Sequence, residues 1–146
     1  MAEIIDTYRK ATNYLESLSI MPKTMPGLEK MKSALKDVDW FRQVDRNKIV
    51  LVAGTNGKGT TAAALESLLA AAGKKVGLYT SPHFLETTER IRINKKDITQ
   101  LQFYNLFCRN LELIQKHQLT HFESLTLIAG DFFFNRHKDE ELDYVI

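Results

Sequence analysis

The chain has 146 residues, 44% of them apolar, which is about one ordinary domain with enough apolar material to bury a core. Its net charge of +2, with lysines and acids interspersed, argues against a nucleic-acid groove, and no apolar run approaches the roughly 20 residues that a bilayer span needs. A single cysteine, Cys108, excludes an internal disulfide and any multi-cysteine metal site, and the acidic start Met1-Ala2-Glu3 does not read as a signal peptide, so a cytoplasmic protein is expected.

The spacing of Tyr8, Leu15 and Leu18 predicts a helix over 5–18. Residues 21–27 hold two prolines and a glycine and read as a loop. Leu28, Met31, Leu35 and Val38 predict a second helix, with Lys30, Lys32 and Lys36 on its solvated face. Ile49-Val50-Leu51-Val52-Ala53 is a continuous apolar run, the pattern of a strand buried on both faces. A glycine-rich turn over 54–59 follows. Then comes a helix over 61–72 with Ala62, Leu65, Leu68, Leu69 and Ala72 inward and Gly73 as its stop. Residues 76–80 predict the next buried strand, and Ser81 to Glu89 a loop. Arg90 to Ile93 alternates like a short strand. Thr99 to Lys116 predicts a helix opened by a Thr99…Gln102 capping box, with Cys108 in its core among Phe103, Leu106, Phe107 and Leu111. Phe122 to Arg136 predicts another, with Leu125, Ile128, Ala129 and Phe132 or Phe133 inward. His83 reads as structural, and His117 and His137 as solvated. Residues 142–146 begin a last strand.

Alternating strands and helices imply an α/β fold with a parallel sheet and flanking helices. The expected division is an N-terminal helical part over 1–47 and a phosphate-loop domain over 48–146. The chain stops inside a strand, at the end where this fold class binds ligands, so it is expected to be part of a longer protein.

The segment Gly54-Thr55-Asn56-Gly57-Lys58-Gly59-Thr60-Thr61 lies between a predicted strand and a predicted helix, the context that makes a phosphate loop credible. Glycines let the backbone approach an anion, successive N–H groups point at it, and the helix N-terminus adds about half a positive charge. Lys58 is placed to reach the β- and γ-phosphates, and a hydroxyl of Thr60 or Thr61 to meet phosphate or Mg2+. Two departures from the common Walker pattern stand out: Val52 where a glycine is usual, and Gly59 where Ser or Thr usually follows the lysine.

These departures resemble the variant phosphate loop of the Mur ligase superfamily, in particular its folylpolyglutamate synthase and dihydrofolate synthase branch. Ser81-Pro82-His83 and Glu89-Arg90-Ile91-Arg92-Ile93-Asn94 resemble further segments of that branch, although Lys95 replaces its usual glycine. Gly27-Leu28-Glu29-Lys30 and Thr120-His121-Phe122-Glu123, with Thr126 after it, also resemble family segments. The resemblance implies an ATP-binding Mur ligase domain in which Thr55 to Thr61 bind the nucleotide and Lys58 acts in catalysis. It implies that Ser81 ligates Mg2+ and that Met25, Pro26, Thr120, His121, Phe122 and Glu123 border the pterin. The implied cofactors are ATP and Mg2+, and the substrates are folate or dihydropteroate and L-glutamate, joined through an acyl phosphate. The parent is expected to be a monomer without membrane or nucleic-acid partners. Its C-terminal glutamate-binding domain is expected to lie outside this chain, leaving the chain alone inactive. Two alternatives are a muramyl-peptide ligase, against which Gly59 and the Phe122-Glu123 segment argue, and a non-catalytic phosphate-loop module, against which Gly59 and the Ser-Pro-His segment argue.

Overall fold

Each helix forms where the apolar spacing and end residues agree, and the strands form where pairing is available. The computed structural model describes residues 7–18, 27–136 and 140–146. Met25, Pro26 and His137 lie outside them. Helix α1 (Tyr8–Ser17) starts at Thr7, whose side chain accepts from the Lys10 amide. Helix α2 spans Glu29–Lys36, α3 Lys58–Ala71, α4 Gln100–Lys116 and α5 His121–Phe134. Short 3-10 turns occupy Asp39–Gln43, Arg46–Lys48 and Thr87–Arg90. The strands are β1 (Val76–Tyr79), β2 (Ile91–Ile93), β3 (Lys96–Asp97) and β4 (Tyr144–Val145).

The chain divides into two compact units that are not contiguous in sequence: residues 1–42 with 100–132, and residues 43–99 with 133–146. The single boundary at 47/48 read from the sequence does not mark this division.

The first unit is helical. Phe103, Phe107 and Ile114 of α4 are fully buried or nearly so, as are Ala11 and Leu15 of α1 and Leu125, Leu127 and Ile128 of α5. Tyr8 meets Phe103 edge-on at 5.6 Å, and Tyr14 meets Phe107 at 5.7 Å. Buried Asp131 accepts from Asn110 Nδ2 at 2.7 Å and from Arg109 Nη1 at 3.2 Å. Cys108 is exposed, against expectation. The inward face of α4 runs through Phe103, Phe107, Asn110 and Ile114, and position 108 is turned about 100° from 107. Leu28 is exposed because α2 starts only at Glu29, and Ala34 is the fully buried residue of that helix. His117 is not solvated: its Nε2 lies 2.9 Å from Asp37 Oδ2, which also accepts from Lys116 Nζ at 2.7 Å.

The second unit is a four-stranded sheet in the order β3-β2-β1-β4. It is mixed. β1 and β4 are parallel, whereas β2 is antiparallel to both β1 and β3. No helix lies between β1 and β2, so the chain returns in the opposite sense. The backbone of Gly77 in β1 packs so closely on Leu142 and Phe133 that a Cβ there would meet both at 2.9 Å.

The predicted strand over 49–53 is largely absent. Ile49 makes one parallel bridge to Val145, and the Val50 amide bonds the Val145 carbonyl at 2.8 Å. Leu51, beyond these bonds, is 87% exposed. Helix α3 also departs from expectation. Its buried residues are Ala62 and Glu66, and Leu68 is 70% exposed. Glu66 turns inward because the Arg92 Nη2 group donates to it at 2.6 Å and the Lys95 amide at 2.9 Å. Gly73, at φ +78°, ends α3 as expected, with its own amide bonded to the Ala70 carbonyl and the Lys74 amide to the Leu69 carbonyl.

Candidate nucleotide site

The glycine-rich turn delivers α3 into a cavity of about 780 Å3 in the second unit. Gly57, at φ +77°, immediately precedes the helix, a conformation that glycine adopts without steric cost. The first intrahelical bond runs from the Thr61 amide to the Gly57 carbonyl at 2.9 Å. The amides of Lys58, Gly59 and Thr60 therefore have no acceptor within the helix and lie at its positive end. A Cβ built at Gly57 or Gly59 would meet no atom within 4 Å, so this stretch of backbone borders open space. An anion can approach the main chain there.

Thr55, Asn56, Gly57, Lys58, Gly59 and Thr60 all line this cavity, and so does Ser81 from the end of β1. Thr61 is not among the lining residues. Lys58 Nζ donates to the carbonyls of Gly54 at 2.7 Å and Thr55 at 3.1 Å. The ammonium is thus held within the loop, at the mouth of the helix.

The Ser81 loop is organised by the segment that follows it. Glu89 accepts three main-chain amides, those of Phe84, Leu85 and Glu86, at 2.9 Å, 3.0 Å and 2.9 Å. The Phe84 amide, then that of Glu86, hold the Glu89 carboxyl below its ordinary pKa. Arg90 is buried, and its Nε donates to His83 Nδ1 at 2.8 Å. His83 is therefore structural, as read from the sequence. The sequence identified Glu89-Arg90 only as part of a pattern; three consecutive amides converging on one carboxylate are visible only once the loop is folded.

Arg92 and Asp97 also line the cavity and were missed. Arg92 Nε is buried without a hydrogen-bond partner among the described residues.

The chain's residues fit a metal–nucleotide complex in a particular way. The described residues contain no cluster of three or more His, Cys, Asp or Glu able to hold a metal ion. Ser81 offers one hydroxyl oxygen, and Glu89 is engaged with its amides. A hard cation such as Mg2+ takes about six oxygens, so Ser81 could supply only one of them.

The other predicted site residues belong to the start of α5, in the first unit. Thr120 and Glu123 form a capping box there. The Thr120 amide and hydroxyl donate to Glu123 Oε2 at 2.9 Å each, and the Glu123 amide reaches Thr120 Oγ1 at 3.4 Å. Thr126 Oγ1 donates to the Phe122 carbonyl at 2.8 Å. His121 is half-buried and Phe122 is 55% exposed.

No protein-family model matches the chain. It is 42% identical over 134 residues to the dihydrofolate synthase/folylpolyglutamate synthase of Buchnera aphidicola, covering 91% of this chain and 30% of that protein. It is 36% identical to the enzyme of the same name from Haemophilus influenzae, covering 92% of this chain and 29% of that protein. A crystal structure of bifunctional folylpolyglutamate synthase/dihydrofolate synthase with Mn, AMPPNP and L-glutamate bound superposes with a TM-score of 0.82 at 37% identity, over 97% of this chain and 32% of that one.

The fold is that of the Mur ligases, of which this chain carries a part. By sequence and by fold the chain belongs with the folylpolyglutamate synthase/dihydrofolate synthase family. It spans about 30% of the length of these two curated relatives.

Proposed function

We infer that this chain is the nucleotide-binding part of an enzyme that joins L-glutamate to folate, or to dihydropteroate, at the expense of ATP. The observation that supports this most is the cavity lined by Lys58, Gly59 and Thr60 at the start of α3 and by Ser81. In the proposed reaction a substrate carboxylate oxygen attacks the γ-phosphorus of ATP, the bond to ADP breaks, and an acyl phosphate forms. The glutamate amine then attacks the acyl carbon, loses a proton and expels phosphate, leaving the amide.

This chain's share of that work is positioning and charge neutralisation. The loop amides and the helix end hold the phosphates. Lys58 exchanges its carbonyl partners for phosphoryl oxygens. Ser81 contributes one ligand to Mg2+, which supplies further neutralisation of phosphate charge. Thr55, Asn56 and Thr60 complete the nucleotide contacts, and Thr61 sits one turn position away. Met25, Pro26, Thr120, His121, Phe122 and Glu123 are assigned to the acceptor side. Phe122 offers an exposed ring for a flat heterocycle, while Thr120 and Glu123 shape the helix end beside it. Glutamate binding and turnover require the rest of the enzyme, so the chain alone is expected to release no ADP with folate and glutamate.

Calorimetry with Mn2+ and AMPPNP tests the reading. The unaltered chain is expected to bind the complex and Lys58→Ala to bind it at least about 10-fold more weakly, because a charge-assisted contact is lost. Equal affinity for the two proteins would overturn the assignment.

A further inference from the structure

The Glu-Arg pair before β2 has no part in the chemistry above, yet Glu89 accepts three main-chain amides and Arg90 donates to His83 beside the cavity. We propose that Glu89 and Arg90 are positioning residues for the divalent cation: they hold the loop that presents Ser81 to it. This rests on the reading that the cavity takes a metal–nucleotide complex.

The geometry is specific. Ser81 is the first residue of a loop that runs past Phe84 and Leu85, and these two side chains are 97% and 88% exposed. Their apolar packing therefore contributes little to fixing the loop. What fixes it is hydrogen bonding. Glu89 Oε2 takes the Phe84 amide, while Oε1 takes those of Leu85 and Glu86. Arg90, 8% exposed, reaches back to His83, two residues after Ser81. At the near end, the Thr80 amide bonds the Arg90 carbonyl at 2.9 Å. The loop is therefore tied to the same two residues at Thr80, at His83 and across 84–86, with Ser81 between the first two ties.

A single hydroxyl is a weak ligand for a hard cation, and its usefulness depends on where its oxygen is held. Groups that orient a ligand without touching the metal commonly change metal affinity about 10- to 100-fold when altered. Glu89→Gln is nearly isosteric but replaces one acceptor oxygen by an N–H group that faces main-chain donors. Arg90→Lys keeps the charge and loses the planar Nε donor.

The test is a double-mutant cycle on Mn2+-dependent AMPPNP binding, at a temperature where circular dichroism shows every variant folded. Glu89→Gln is expected to raise the Mn2+ concentration needed for half-maximal binding about 10-fold, and Arg90→Lys to act in the same direction. In a Ser81→Ala background the same substitutions are expected to change it less than about 2-fold, because they act through a hydroxyl already removed. A merely structural role would lower folding stability and leave the Mn2+ requirement of the folded protein in place. Effects of equal size in both backgrounds, or none in either, overturn the proposal while Lys58-dependent binding stands. Binding that ignores Lys58 overturns the functional reading itself, and absence of binding by the unaltered chain removes both. Should Glu89→Gln fail to fold, Arg90→Lys carries the cycle alone.

Discussion

Glu66 lies eight residues beyond Lys58 on the same helix, and its carboxylate is fully buried. It is anchored by Arg92 at 2.6 Å and by the Lys95 amide at 2.9 Å, so it ties α3 to the β2–β3 hairpin. Glu66→Ala removes the carboxylate and leaves two donors facing it, one of them a guanidinium whose side chain is 27% exposed. Breaking a buried ion pair from one side costs about 3–5 kcal/mol. Partial access of Arg92 to water moves the expectation to the lower end, about 3 kcal/mol. Against a total stability of about 5–15 kcal/mol, that is a large fraction. Urea unfolding followed by circular dichroism measures it as a fall in midpoint at unchanged slope. Replacing both partners, as Glu66→Leu with Arg92→Met, is expected to recover most of the loss, because no unpaired charge remains. A loss below about 1 kcal/mol for Glu66→Ala would refute the reasoning, and so would a double variant no better than the single one.

The turn joining β2 to β3 carries Asn94 at φ 47° and Lys95 at φ 67°, both in the left-handed region. Lys95→Gly is expected to stabilise the chain by about 1 kcal/mol in the same urea assay, since lysine pays a steric penalty there that glycine does not. The Glu89 carboxyl, held below its ordinary pKa chiefly by the Phe84 amide, favours the folded loop above the unfolded-state value of about 4.3, and this contribution is lost as pH falls through the lower folded value. A carbon-13 titration of Glu89 is expected to show a midpoint below that of a free glutamate, with the Phe84, Leu85 and Glu86 amide resonances shifting together at the same pH.

The sequence showed the helices well, because α4 and α5 each bury a regular apolar face, and the residues expected inward on α5 are buried. It showed the phosphate loop because glycine, lysine and threonine between a predicted strand and helix have few other uses. It failed where burial depends on a partner rather than on a period. The run 49–53 has the composition of an interior strand, yet only Ile49 and Val50 find a neighbour. Glu66 was not among the residues expected inward on α3; Arg92, 26 positions away, draws it there. Gln118, at φ 50°, ends α4 where a glycine signal was absent. The capping geometry of Thr120 and Glu123 was not read from the sequence, where the two residues stood only as part of a family segment.

Lys58 also shapes the loop that carries it. Its ammonium spans the Gly54 and Thr55 carbonyls. The side chain is therefore a brace for the loop as well as the proposed contact for a phosphate. Cutting it away removes the loop's shape together with its charge. A small amine supplied from solution could restore the second without the first.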